Sequence, residues 1–279
     1  MILWTIFISN RPDRFVKSVR LFCDTAQQDH TIVFVAENQR ADFQAAIEEA
    51  ALPFAVEIWP HNVPKRQDGK PPLGAIRYYA FQRVQQAMGR RDIAWMADDD
   101  AKNIRFTKPG QMMPNGRNQS YRTASSEIFR RELLKVAMAA REKGFWYFTH
   151  IMNMQPHNGY NPKRIFRACC SWNAFFGFFK TSPNTFDITV GDGEDYDAAY
   201  QAVRRAGTLP ILRHYGLSID FEFVRNKYTD GARIENLQKR YPELEIVEDI
   251  HGKKKGMPFP RFSRKKLNEL KATVLTDFR

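Results

Sequence analysis

The sequence predicts an α/β fold with a mainly parallel central sheet flanked by helices. Three observations carry this expectation. Strand-like and helix-like segments alternate through the first hundred residues, which is the pattern of crossover-connected parallel strands. The strand-like segments are short continuous apolar runs, as strands buried on both faces require. Finally, 43% of the 279 residues are hydrophobic, enough for the core of one large domain or two small ones.

The elements follow in order. Leu3 to Ile8 is the first apolar run. "NRPD" follows as a turn, and Pro12 suits the first turn of a helix from Asp13 to about Thr25. "TIVFVAE" reads as a second strand ending in Glu37. "RADFQAAIEEAAL" is helical, with apolar residues at Phe43, Ala46, Ile47, Ala50 and Ala51. "FAVEIWP" is a third strand, a loop rich in Pro, Lys and Gly spans 60–74, "GAIRYYAFQRVQQAM" is a helix, and "DIAWMA" is a fourth strand.

Regularity stops after residue 106. "TKPGQMMPNGRNQSYRT" is turn-rich and aperiodic, and is expected to be a surface loop able to act as a lid. "SSEIFRRELLKVAMAAREKG" is a helix that Ser126 can cap and Gly144 can stop. "FWYFTHIM" is a strand, and "CCSWNAFFGFFKTS" is strand-like with a break at its glycine. "GEDYDAAYQAVRRAG" is a helix, "TLPILRHYGLSIDFEFV" returns to strand, and "DGARIENLQKRYPEL" is the last helix. The composition shifts near residue 251, where a basic extension, 251–279, is expected to follow a main domain of residues 1–250.

Charge and cysteine content narrow the class. The formal net charge is +12 and the pI about 9.7, which suits a polyanionic partner. From His251 to Arg279 nine Lys/Arg stand against two acids, so the basicity is concentrated at that end. Cys23, Cys169 and Cys170 offer neither a disulfide framework nor metal-ligand spacing. No signal-peptide pattern or membrane-length apolar run is evident, so the expected setting is cytoplasmic, with no membrane partner.

Within this basic chain, "DIAWMADDDAKNIRF" places Asp98, Asp99 and Asp100 directly after an apolar strand. Ligands of open parallel sheets lie beyond the carboxyl ends of the strands. Carboxylates there form a hard-oxygen site suited to Mg²⁺ or Mn²⁺ with substrate phosphates. A solvated acidic turn is the plainer alternative. A second group, "GDGEDYDAAYQAVRRAG", holds Asp192, Glu194, Asp195 and Asp197 at a helix start. Acids in a first turn favour the helix dipole, but a carboxylate there can also serve as a general base.

The order of "FISNRPDR", "AWMADDD" and "GDGEDYDAAYQAVRRAG" resembles glycosyltransferases of the GT-A fold, a Rossmann-like architecture, over roughly residues 1–215. The resemblance implies a nucleotide-sugar-binding half (1–106) and an acceptor half (107–250). It makes Asp98 and Asp100 a DXD pair that holds a divalent metal against the diphosphate of a sugar nucleotide, a UDP-sugar by family analogy. Arg77 matches a basic position facing the diphosphate. Glu37 matches the acid near the nucleoside, and Asn10, Arg11 and Asp98 join them as donor-binding residues. Glu194 and Asp195 match the acceptor-side pair, with Asp195 as the base of an inverting enzyme. A late histidine often adds a metal ligand in this family, and His214 is favoured over His251 by spacing.

The acceptor is read from charge. The tail "GKKKGMPFPRFSRKK" interleaves cations with Phe259 and Phe262, as a nucleic-acid contact does. Lys253, Lys254, Lys255, Arg261 and Arg264 are the candidate contacts, with Arg117, Arg122, Lys163, Arg164 and Arg167 offering more. This combination resembles the phage-type DNA glycosyltransferases of the TET/JBP-associated group. Those enzymes decorate 5-hydroxymethylpyrimidines, so the resemblance implies duplex DNA as acceptor and a host cytoplasm as setting. Trp172, Phe175 and Phe176 could line a pocket for an extruded base, although ordinary core packing is the simpler expectation for them. A metal-dependent nuclease, a nucleotidyltransferase and a non-catalytic DNA-binding module are the rival readings.

Overall fold

The structure is a computed structural model that describes residues 1–23, 29–65, 69, 72–106, 122–152, 166–169, 176–190, 193–206, 209–212, 217–221, 230–248 and 258–262. His214, His251, Lys253, Lys254, Lys255, Arg264, Asp192, Trp172, Phe175 and the loop 107–121 lie outside the described residues.

The expected alternation is present. Strands β1 (Leu3–Ile8), β2 (His30–Ala36), β3 (Glu57–His61) and β4 (Ile93–Ala97) are separated by helices α1 (Pro12–Phe22), α2 (Arg40–Ala50) and α3 (Leu73–Ala87). All four strands run parallel in the order β3-β2-β1-β4. Pro12 opens α1, where its missing N–H is no loss. Glu37 does not extend β2 but begins a single 3-10 turn that leads into α2.

One strand directly after the acids was not anticipated. β5 (Ala101–Phe106) follows Asp100 at once, and β6 (Arg122–Thr123) pairs with it. Helix α4 (Ser126–Glu142) comes next, capped by Ser125 rather than Ser126: the Ser125 side chain accepts from the Ile128 N–H. Strand β7 (Tyr147–Met152) follows, then β8 (Phe166–Cys169) and β9 (Phe176–Phe179). β9 runs antiparallel between β4 and β7, which makes a six-stranded ladder β3-β2-β1-β4-β9-β7 with a single reversed strand. Helix α5 (Glu194–Ala206), strands β10 (Leu209–Leu212) and β11 (Leu217–Phe221) and helix α6 (Asp230–Arg240) complete the main body. The sheet continues from β7 through β11 and β5 to β6. Beyond α6, β12 (Leu244–Glu248) pairs antiparallel with β13 (Pro258–Phe262), so a ladder crosses residue 251.

The sheet is covered on both faces. Leu3, Phe7, Val33, Val35, Ile93 and Trp95 pack with Phe15, Val19, Phe43 and Phe129 of α1, α2 and α4. The alternate residues, Trp4, Ile6, Ile32, Phe34, Ala94 and Met96, pack with Ala80, Phe81 and Val84 of α3 and with α5. This period of two sends successive side chains to opposite cores. Because both cores are apolar, the strands read as continuous runs. Among the described residues no helix is long and apolar enough to cross a membrane.

Gly177 does not break its segment. It sits within β9, opposite Phe148 of β7, and a Cβ there would lie 2.0 Å from the Phe148 ring. The absent side chain is what admits that ring. Phe176 beside it is buried against Phe178 and Phe186, the core packing that was the simpler expectation. Gly177→Ala is expected to force Phe148 out of place and lower stability by about 1–3 kcal/mol. Urea unfolding should show a lower midpoint with an unchanged slope.

Candidate active site

β1 is flanked by β2 on one side and β4 on the other. Helix α1 leaves β1 towards one face, whereas α3 enters β4 from the opposite face. The chain therefore reverses its direction of winding between β1 and β4, and the carboxyl ends of these two strands are where open α/β sheets place their ligand crevice. Ser9, Asn10 and Arg11 follow β1 there, and Asp98, Asp99 and Asp100 follow β4.

The middle acid closes this junction. Asp99 is buried and accepts a hydrogen bond from Ser9 Oγ at 2.5 Å. Arg11 donates Nε–H to the same carboxylate at 3.1 Å and adds an ion pair through Nη2. The Arg11 backbone N–H donates to Ser9 Oγ at 3.0 Å. Asp99 thus holds the end of β4 to the end of β1, leaving its two neighbours as the acids available to a ligand. Ser9 escaped the sequence reading, and its place beside Asn10 in "FISNRPD" was the only signal.

Asp98 turns to α3. Arg77, 4% exposed, donates to Asp98 Oδ1 at 2.9 Å and lies 3.8 Å from Glu194 of α5. One guanidinium therefore joins the two acidic groups that lie a hundred residues apart in sequence. Burial works against the charge of Arg77, but the fields of Asp98, Glu194, Asp195 and Asp100 outweigh it and raise its pKa. Gly74 permits this approach. A Cβ at Gly74 would lie 2.8 Å from the Val190 carbonyl oxygen and 3.2 Å from Glu194 Cβ. Gly193, with φ +90°, supplies the left-handed turn that starts α5.

The carboxylates of this cluster are shifted by one another and by burial. Burial pushes the Asp98 carboxyl up to about 8, with Asp100, Asp99 and Glu194 adding to the effect and Arg77 opposing it. Asp98 keeps 28% side-chain exposure, so water screens part of that penalty. Asp100 is also raised, by burial first and by Asp99 second, while Arg11 and Arg14 pull it down. Its Oδ1 is buried with no hydrogen-bond partner among the described residues. Among the described residues, Asp98, Asp99, Asp100, Glu194 and Asp195 lie close enough to Arg77, Arg11 and Arg14 to share one electrostatic environment. A divalent cation prefers oxygen donors and would favour the charged form of the raised carboxylates. Asp98, which is partly exposed, and Asp100, whose buried Oδ1 has no hydrogen-bond partner among the described residues, therefore fit such an ion. Among the described residues no three His, Cys, Asp or Glu side chains converge into a ready-made metal cage.

Other expected residues are placed as follows. Glu37 is half exposed and lies 3.9 Å from Arg40. Asn10 is exposed, and its carbonyl accepts from Gln39 Nε2 at 3.2 Å. Arg11 keeps 45% side-chain exposure beside the acids. Arg261 lies on β13. Asp197 belongs to a different network: fully buried, it accepts from Tyr241 Oη at 2.6 Å and Gln201 Nε2 at 2.9 Å, and forms an ion pair with Arg240 Nε at 2.9 Å.

Fold and site together define an α/β domain with a carboxylate and arginine cluster at the switch point of its parallel sheet. No protein-family model matches the chain, and no curated protein matches it in sequence. Solved structures superpose only loosely. A mannosyltransferase, PcManGT of Pyrobaculum calidifontis, in complex with GDP-Man and Mn²⁺, gives a TM-score of 0.48 at 11% identity over 85% of this chain. This chain spans 61% of that one. A protein named as a nucleotide-diphospho-sugar transferase, from Desulfovibrio desulfuricans G20, gives 0.39 at 13% identity, covering 99% of this chain and 97% of its own. Mannose-6-phosphate isomerase from Helicobacter pylori gives 0.35 at 13% identity, with 96% and 88% covered. Superpositions this loose leave the chemistry to be argued from the site itself.

Two outcomes follow from the cluster. Arg77→Ala leaves Asp98 and Glu194 without their shared cation and is expected to cost about 3 kcal/mol, at the low end for a buried pair because Asp98 meets water. Denaturant midpoints of the metal-free protein measure this. Asp98→Asn should gain stability relative to wild type as pH rises. At low pH Asp98 is neutral in both states. Between its unfolded value near 3.8 and its folded value of about 8, only the unfolded chain releases the proton, so wild type loses stability and the variant does not. Unfolding at several pH values in chelator should show the gap shifting in the variant's favour. A constant gap would contradict the raised carboxyl.

Proposed function

We propose that this protein is a metal-dependent glycosyltransferase of the GT-A type, moving a sugar from a nucleoside-diphosphate sugar to a hydroxyl acceptor. The observation that carries the reading is the meeting, through Arg77, of Asp98 at the end of β4 with Glu194 at the start of α5. Two carboxylate groups in different environments, one at a strand end and one on a helix start, suit a donor side and an acceptor side.

Asp98 and Asp100 are the residues that would hold the divalent cation. When bound, such an ion neutralises charge on the departing nucleoside diphosphate. Asp99 keeps the neighbouring acids in place by fastening β4 to β1. Arg77, engaged by two carboxylates, orients them and supplies field from below. Arg11, exposed beside the acids, can meet a phosphate oxygen. Asp195, half-buried in the first turn of α5, is the candidate base that takes the proton from the attacking hydroxyl. The chain's net charge of +12 supports DNA as the acceptor, with a 5-hydroxymethylpyrimidine supplying the hydroxyl. It does so because binding through Lys and Arg releases condensed counterions from a polyanion.

The test has two parts. Thermal stabilisation by UDP, GDP, ADP and CDP, each with and without Mn²⁺, is expected to pick out one nucleotide and to need the metal. Asp98→Ala and Asp100→Ala should remove that stabilisation, whereas Asp195→Asn should keep it and lose transfer to hydroxymethylated DNA by a factor of about 10²–10⁴. Nicking of unmodified DNA without sugar incorporation, or full transfer by the Asp98 variant, would overturn the reading.

A further inference from the structure

Helix α3 has two working faces. Arg77 belongs to the crevice described above. About half a turn round the helix, at 100° per residue, Tyr79, Gln82, Arg83 and Gln86 form an i, i+3, i+4, i+7 stripe. This stripe lines a separate cleft of about 550 Å³, whose other wall is His61, Asn62 and neighbouring residues at the end of β3. The volume suits a small organic ligand.

The lining restricts what enters. Among the described residues that line it there is no carboxylate, so a cation finds no counter-charge. A polyol, rich in hydroxyl donors, meets few strong acceptors. The cleft offers instead an exposed ring, a guanidinium and amides. Tyr79 is 48% exposed, and its ring is braced edge-on by Tyr78, with centroids 5.5 Å apart at 87°. Arg83 is held over the Trp59 ring at 4.5 Å and donates to the Pro60 carbonyl at 3.4 Å. Its planar head is thus pre-placed at the cleft rather than free to wander. His61 Nδ1 accepts the Val63 N–H at 3.3 Å, which puts the ring proton on Nε2. Burial lowers the His61 pKa and keeps that ring neutral.

A ring with an exposed face, beside an oriented guanidinium and amide donors and acceptors, is the equipment for one nucleotide: a base to stack and a phosphate to pair. We infer that this cleft binds a nucleotide of a single-stranded polynucleotide segment, with its base against Tyr79 and its phosphate at Arg83. The inference uses the proposed DNA acceptor only in taking a strand as the occupant. It adds a contact on the side of α3 away from the transfer site.

Fluorescence anisotropy with a short labelled oligo-dT is the test, run as a salt series on the full chain. Tyr79→Ala is expected to weaken binding by about 5- to 150-fold, the range of one lost stacked base, and Tyr79→Phe to stay within about twofold. Arg83→Gln should reduce the slope of log affinity against log salt by about 0.7, one single-strand phosphate contact. Absent binding by wild type, or wild-type affinity and slope in both Tyr79→Ala and Arg83→Gln, overturns the inference. So does free dTMP that binds as tightly as the oligonucleotide and is lost in Tyr79→Ala, since the occupant is then a mononucleotide. Nucleotide-plus-Mn²⁺ stabilisation is read on the same variants and should be unchanged. Its failure in wild type would sink the donor site without touching the oligonucleotide result.

Discussion

The architecture of the site depends on one buried guanidinium. Arg77 sits beneath Asp98 and Glu194 with almost no exposure. Removing an arginine from water is costly, and only several close carboxylates can offset it. Those carboxylates must in turn be drawn from elements that packing has already brought together. The ion pair therefore ties β4 to α5 across the face of α3, and each of these elements contributes to the crevice. The shared guanidinium gathers these acids at the carboxyl edge of the sheet, the place where open α/β sheets bind ligands.

Close packing is what brings the charges into range. Gly74 lets the first turn of α3 lie against Val190 and Glu194, and Gly177 lets Phe148 close the sheet between β7 and β9. Neither glycine carries chemistry. Each removes a side chain at a point where two backbones or a ring must approach, and the geometry of Arg77 follows from the first of them.

The last elements are tied to the helix that carries Glu194 and Asp195. Asp197 lies one turn further along α5 and is held by Tyr241 and by Arg240, which also pairs with Asp187. Burial raises the Asp197 carboxyl, and its hydrogen-bond donors work against that rise. Helix α6, and through it the β12–β13 ladder that packs on it, is thereby fastened to the acidic helix.

Much of the fold was legible in the sequence because its signals are local. Continuous apolar runs mark strands covered on both faces, and Leu3–Ile8 and Ile93–Ala97 were readable residue by residue. Pro12 marked a helix start for the same reason. The acids at the carboxyl end of β4 were readable too, since a parallel strand's end is a fixed place. What tertiary structure alone decided is every feature that joins distant segments. β5 was missed because its Lys and Arg interrupt the apolar run, and only pairing with β11 and β6 makes it a strand. Gly177 looked like a break, since its need for a missing Cβ exists only opposite Phe148. The division of labour among three adjacent aspartates was invisible for the same reason. Ser9 and Arg11 hold Asp99, and Arg77 takes Asp98, through contacts that span 21 to 90 residues of sequence. Periodicity and propensity act within a turn or a strand, whereas burial and Coulomb interaction act through space, and space is what the folded chain supplies.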